Sequence, residues 1–192
     1  MKSIPRSGWI SHNVSLQDVE SVADHAFSTS ILSMLLTDLE VQKGVKINVE
    51  KVLRMSILHD LAESLTFDIS KAYLEYMGTK GESIKREIEK SAWKHVAEGL
   101  KKPALAGKYL SMFNQYTANK TQEAKIVHAA DSLDILLQVL SYVRMGYPPA
   151  TLSDLWRERI KMVRTAGVPS ARIILNSIIA ERTKLAGNRR LK

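Results

Sequence analysis

The sequence predicts an all-α protein built as a single-domain bundle of about six to seven helices. Three observations carry this. Apolar residues recur at spacings of three and four almost throughout the chain. No alternation of apolar and polar residues lasts long enough to build a sheet. Hydrophobic residues make up 45% of the 192 positions, enough for one compact domain with a substantial core.

Residues 1–18, with Pro5 and Gly8, read as an extended arm. A first helix is predicted for about 19–42, closed by Gly44 in KGVKIN. Asn48 is a natural N-cap for a second, about 48–65, in which Val49, Val52, Leu53, Ile57, Leu61 and Leu65 make one apolar face. A loop containing Gly78 and Gly81 leads to a charged, amphipathic helix at about 82–99, ended by Gly99 and Pro103, and a shorter helix follows at about 104–117. Thr121 caps the most apolar segment, AKIVHAADSLDILLQVLSYVRMG, at about 121–146; its length of ~39 Å would span a small domain, which predicts a central position. YPPA stops it. Helices at about 151–166 and 168–186 follow, the last with Pro169 just inside its start, and AGNRRLK ends the chain in a basic tail at 187–192. The span 19–146 therefore reads as the helical core and 147–186 as C-terminal helices added to it.

No run approaches the ~20 apolar residues that a bilayer crossing requires, and MKSIPRSGW lacks the apolar stretch of a signal peptide. A soluble, cytoplasmic protein with no membrane partner is expected. The chain has no cysteine, which excludes disulfides and thiolate metal sites, so any metal must be held by Asp, Glu and the five histidines. A net charge of +8 favours phosphorylated or polyanionic partners. Much of that charge lies in stretches such as GESIKREIEKSAWKHVAEGLKK, where acids and bases alternate as on a solvated helix face.

In ILHDLAESLTFDIS a histidine and three carboxylates interrupt an apolar pattern. Residues four apart on a helix share a face, so His59 and Glu63 should point the same way, with Asp60 turned about 100° from His59. An adjacent His-Asp pair can share one ion. Asp131 falls within the apolar central segment, where an ionised carboxylate needs a cationic partner. His25, in ESVADHAFSTSILSMLL, begins the most apolar part of the first helix. Three helices thus each offer a ligand at a position fit for burial. Two imidazoles and two carboxylates form an N2O2 set that leaves positions open for water and substrate on one divalent ion, and such a set accepts Mn, Fe, Co, Ni or Zn. Asp134, one helical turn after Asp131, and Asp24, beside His25, read as candidates to orient ligands and not as ligands; His128, three residues before Asp131, reads as a partner of a ligand or as a packed or solvent-facing imidazole; His12 and His95 lie in polar contexts outside the set.

The order His25, His59-Asp60, Asp131 resembles the H…HD…D pattern of the HD-domain metal-dependent phosphohydrolases, over roughly residues 1–145. More narrowly, PRSGW, ESVADHAF, ILHDLAESLTFDIS and KIVHAADSLD resemble the branch that contains the 5'-deoxynucleotidases. The resemblance implies a helical fold of the HD type in which His25, His59, Asp60 and Asp131 hold one divalent metal ion. It implies that Glu63 and Asp68 activate the attacking water and assist the leaving oxygen, and that Arg6 and Trp9 contact the substrate phosphate and sugar. It further implies hydrolysis of the 5'-phosphate of nucleoside monophosphates, deoxyribonucleotides by preference, in a homodimer. The chain departs from the family pattern in two places. Arg6 and Trp9 are not adjacent, and Phe67 stands where relatives usually have Gly, a residue free to adopt positive φ angles. Two other functions compete: an HD-type phosphohydrolase acting on a triphosphate, cyclic nucleotide or alarmone, and a non-enzymatic basic helical protein that binds nucleic acid.

Overall fold

The structure, a computed structural model, describes residues 1–189. In chain order the helices are α1 Ser7–Ile10, α2 Val22–Gln42, α3 Val49–Leu58, α4 Glu63–Thr66, α5 Lys71–Glu75, a 3-10 turn at Gly78–Lys80, α6 Gly81–Gly99, α7 Pro103–Ala118, α8 Gln122–Met145, α9 Ser153–Thr165 and α10 Pro169–Arg189. Among the described residues there is no β-strand, only an isolated bridge between Pro5 and Ser21. Seven of the helices have ten residues or more, which agrees with the number that periodicity predicts. The last three residues of the predicted basic tail lie outside the described residues.

The α8 helix is the axis of the fold because it is apolar on most of its faces. Ile126, Val127, Leu133, Leu136, Val139 and Tyr142 are all buried, and α2, α3, α7, α9 and α10 pack around them. Thr121 starts the helix by accepting a hydrogen bond from the Ala124 N–H, and Gly146, at φ +113°, ends it in the left-handed region. By length and composition this helix could cross a membrane, contrary to the expectation that no such run exists. Most of its apolar stretch is instead buried among its neighbours.

The N-terminal arm is tied down rather than loosely extended, and it contains the short α1. Arg6 N–H donates to the Glu20 carbonyl at 3.0 Å and Val22 N–H to the Ile4 carbonyl at 2.9 Å. Trp9 packs edge-on against Tyr142 with ring centroids 5.0 Å apart. These bonds lay Arg6 across the start of α2, which Ser21 and Asp24 fix with a reciprocal capping box.

The helix predicted for about 48–65 breaks in the middle. His59 Nδ1 donates to the Ser56 carbonyl at 2.7 Å, the acceptor that the Asp60 N–H would use if the α-helix continued. The chain tightens to bonds three residues apart: Leu61 to Leu58, Glu63 to Asp60, Ser64 to Leu61 and Leu65 to Ala62. Apolar spacing runs straight through this break, so periodicity could not show it. After α4, Phe67 turns the chain at φ +59°, ψ 167°, and Asp68 follows. The segment read as a loop also holds α5, capped by Ser70, and is pinned at Gly81, where an added Cβ would lie 2.4 Å from the Leu74 carbonyl oxygen.

At the other end of α2, Glu40 is buried and joins the helix to α10. Its carboxylate accepts from the Ser170 N–H at 2.7 Å, and Lys43 bridges the same two residues. A carboxylate is well placed there, at the positive end of a helix dipole.

Candidate metal centre and active site

His25 leaves α2, His59 and Asp60 leave the tightened turn after α3, and Asp131 leaves α8. Their side chains converge. His25 Nε2 lies 3.3 Å from His59 Nε2, 3.1 Å from Asp131 Oδ1 and 3.6 Å from Asp60 Oδ2, and His59 Nε2 lies 3.2 Å from Asp60 Oδ2. Ligand atoms on one cation with bonds of ~2.1 Å stand ~3.0 Å apart at octahedral and ~3.4 Å apart at tetrahedral angles. His25, His59 and Asp131 offer ligand atoms that all lie within 4.8 Å of one another, and Asp60 Oδ2 borders them from the side of His59.

The tautomers give a second reason to place a cation here. The Ser56 carbonyl can only accept, so His59 carries its proton on Nδ1 and turns a lone pair at Nε2 inward. His25 Nδ1 donates to Asp134 Oδ2 at 2.7 Å, which likewise leaves Nε2 for the centre. Two nitrogen lone pairs 3.3 Å apart repel unless positive charge lies between them. Without metal a proton does this work. Burial and nearby Arg6 push His25 down, but hydrogen bonds to Asp131 and Asp134 outweigh them and push it up to about 9. A divalent ion resolves the same conflict in place of the proton. The donor set therefore fits a metal on chemistry as well as spacing.

Arg6, Glu63 and Asp68 stand beside this cluster. Arg6 Nη1 donates to Asp60 Oδ2 at 2.7 Å and lies 4.0 Å from Glu63 Oε2. Asp60 is held well below the usual carboxylate range: burial opposes, but His59, Arg6 and His25 outweigh it. Asp131 is lowered in the same way, with burial overcome by His25 and Arg159. Glu63 goes the other way, since burial and the charge of Asp60 push its carboxyl up to about 9. Its Oε2 is buried with no hydrogen-bond partner among the described residues. Asp68 Oδ2 accepts from the Ser7 N–H at 2.6 Å, which ties the site to the arm despite the unusual backbone at Phe67. The relation of Glu63 to His59 is not the shared α-helical face predicted for it, because the tightened turn lies between them.

The cluster opens into a cavity of about 520 Å³ whose wall includes Arg6, Trp9, His59, Asp60, Glu63, Asp68 and Asp131. Trp9 belongs to that wall but is only 2% exposed, and its indole N–H donates to Glu20 Oε1 at 2.8 Å. His12, read as lying outside the site, also lines the cavity, as do Tyr116 and Arg159. His128 stacks on Tyr116 at 4.2 Å, and its Nε2 donates to the Tyr116 carbonyl. His95 is exposed on α6. Asp134, read as a candidate to orient a ligand, holds His25, whereas sequence spacing does not point to Arg159. The available signal for Arg159 is a charge on the apolar stripe of its helix.

Comparison with known proteins agrees with this geometry. A family profile described as HD domain matches residues 1–166. The 5'-deoxynucleotidase HDDC2 of Xenopus laevis is 30% identical over 156 residues, 81% of this chain and 71% of that protein. The protein of the same name from Dictyostelium discoideum is 31% identical over 149 residues, 77% of this chain and 74% of that one. A solved structure from Pyrococcus horikoshii OT3 superposes with a TM-score of 0.75 at 30% identity, covering 94% of this chain and 93% of its own. The chain belongs to the HD-domain family.

Proposed function

We propose that this protein is a divalent-metal-dependent phosphomonoesterase that removes the 5'-phosphate of nucleoside monophosphates, deoxyribonucleotides foremost. The observation that carries the reading is the pair of inward-facing imidazole nitrogens, joined by two carboxylates at coordination spacing on the floor of an open cavity. The nucleotide preference follows the relatives named 5'-deoxynucleotidase.

His25, His59, Asp60 and Asp131 would hold the ion, which when bound polarises a phosphoryl oxygen and makes water more acidic. Mn, Co, Fe, Ni and Zn all suit the donors. Glu63 accepts the proton of the attacking water; it stands beside Asp60 and Arg6, and its Oε2 makes no hydrogen bond among the described residues. Asp68 assists the departing nucleoside oxygen and holds the arm through Ser7. Arg6 offers its planar guanidinium to the phosphate beside Asp60. Trp9, with its N–H engaged by Glu20 and its ring on Tyr142, keeps Arg6 in place from the cavity wall. The chain acts as a homodimer, a reading supported by Phe27, Ile31, Met34 and Leu35, which stand exposed along one side of α2.

The test is to purify the protein with its metal, measure metal content, and assay phosphate release from ribo- and deoxyribonucleoside mono-, di- and triphosphates. His59→Ala and Asp131→Ala should lose both metal and turnover. Glu63→Ala should keep the metal and lose ~10²–10⁴-fold in kcat. Metal-loaded wild-type protein that releases phosphate from none of these nucleotides, or a fully active Glu63→Ala, refutes the reading.

A further inference from the structure

We infer that Arg159, on α9, is a second grip for the substrate phosphate, facing the site from the side opposite the N-terminal arm in sequence and acting directly on the transferred group. The inference rests on the proposed phosphohydrolase reading.

The first observation is position. Leu152, Trp156 and Val163 are the buried residues at and along α9, and Arg159 falls on the same helical stripe, three residues after Trp156 and four before Val163. Packing alone would favour an apolar residue there. The second is an unfilled donor set. Arg159 Nη1 lies 3.4 Å from Asp131 Oδ2, longer than the ~2.7–2.9 Å of a good charge-assisted bond, and 3.7 Å from the Met162 sulfur. Its Nε is buried with no hydrogen-bond partner among the described residues. Two other cations of the cavity wall are better satisfied: Arg6 has Asp60 at 2.7 Å and Lys71 has Glu158 at 2.8 Å.

The third observation is what Arg159 adjoins. Asp131 turns Oδ1 toward His25 and Oδ2 toward Arg159, so the guanidinium borders the inferred metal centre on its cavity side. An anionic oxygen bound beside Asp131 would give the guanidinium the short charge-assisted bond that Asp131 Oδ2, at 3.4 Å, does not. A planar fork suits two oxygens of one phosphate and a lysine ammonium does not reproduce it.

The experiment uses the manganese-loaded protein, with inorganic phosphate as the probe. Calorimetry measures phosphate affinity for wild type, Arg159→Gln, Arg159→Lys and the surface control Arg164→Ala, alongside metal content and thermal unfolding. Arg159→Gln should keep one metal per chain and the wild-type unfolding temperature while weakening phosphate binding roughly ten- to hundredfold. Arg159→Lys should recover part of the loss, and Arg164→Ala should match wild type. In turnover assays KM for the monophosphate should rise in parallel. Unchanged phosphate affinity in Arg159→Gln overturns the inference, as does wild-type protein that binds no phosphate. So does a loss of metal with unchanged phosphate affinity per loaded site, since Arg159 would then only brace Asp131. Arg159-dependent phosphate binding in a protein that hydrolyses no nucleotide would instead refute the proposed activity and leave the phosphate grip standing.

Discussion

His25 Nδ1 lies 2.7 Å from Asp134 Oδ2, a bond between two buried side chains 109 residues apart that joins α2 to the central α8. It does more than fasten two helices. By holding the Nδ1 proton it turns Nε2 toward His59 and Asp131, and it makes the ring a stronger donor to a metal. Asp134→Ala should weaken metal affinity by ~10–100-fold while leaving the fold intact, and Asp134→Asn, whose amide oxygen can still accept, should lose less. Competition titration against a chelator of known affinity measures both. Equal affinity in wild type and Asp134→Ala would mean that the bond serves packing alone.

Glu63 makes the metal-free protein pay for its own catalytic group at high pH. Burial and Asp60 push the carboxyl up to about 9, against ~4.3 in an unfolded chain. A group that binds its proton more tightly when folded makes the native state less stable as pH rises through that window. The amide in Glu63→Gln cannot ionise. In chelator-treated protein the variant should match wild type near pH 4.5 and unfold at a higher temperature at pH 8, with a gap on the order of 1 kcal/mol or more. Thermal melts by circular dichroism at several pH values give the comparison, and a gap that does not grow with pH contradicts it.

Phe67 occupies a backbone region, φ +59° with ψ 167°, that is almost exclusive to glycine. A bulky side chain held there costs ~1–3 kcal/mol. The ring recovers little of this by packing, since it is 68% exposed. Phe67→Gly should therefore stabilise the protein by about 1 kcal/mol, after the greater flexibility of glycine in the unfolded chain is counted. Phe67 is not one of the candidate metal ligands, so metal content should not change. A lower unfolding temperature in Phe67→Gly would show that the aromatic ring makes contacts worth more than the strain.

What could be read from the sequence divides along physical lines. Helices with apolar stripes and good caps, such as α3 behind Asn48 and α8 between Thr121 and Gly146, were legible because period and punctuation are local signals. So were His25, His59, Asp60 and Asp131, each a titratable residue in apolar surroundings. The break after Leu58 was not legible, because a side chain takes the carbonyl there while the apolar spacing continues unbroken. Asp134, one turn from Asp131, was legible as a residue to orient a ligand, but which ligand it holds and the place of Arg159 depend on what they face across helix interfaces, which spacing along one helix does not encode. The short α5 owes its place to the Ser70 cap and to the approach of Gly81 to Leu74, both tertiary events.

Glu40 is the reverse case to Glu63. Burial tends to raise its pKa, but hydrogen bonds from Ser170 and from Lys43 outweigh burial and lower it. A carboxyl lowered in the folded state contributes stability that is fully present above its unfolded value of ~4.3 and is lost as pH falls through the folded value. Glu40→Gln keeps the shape but weakens the bond to the Ser170 N–H and removes the charge at the start of α10. The variant should be less stable by ~1–3 kcal/mol at pH 7, and the gap should narrow as pH falls below about 4. Urea unfolding at pH 7 and at pH 3.5 measures both numbers. A gap that stays constant across that range would mean that the carboxylate acts through packing, and the charge at the helix start contributes nothing.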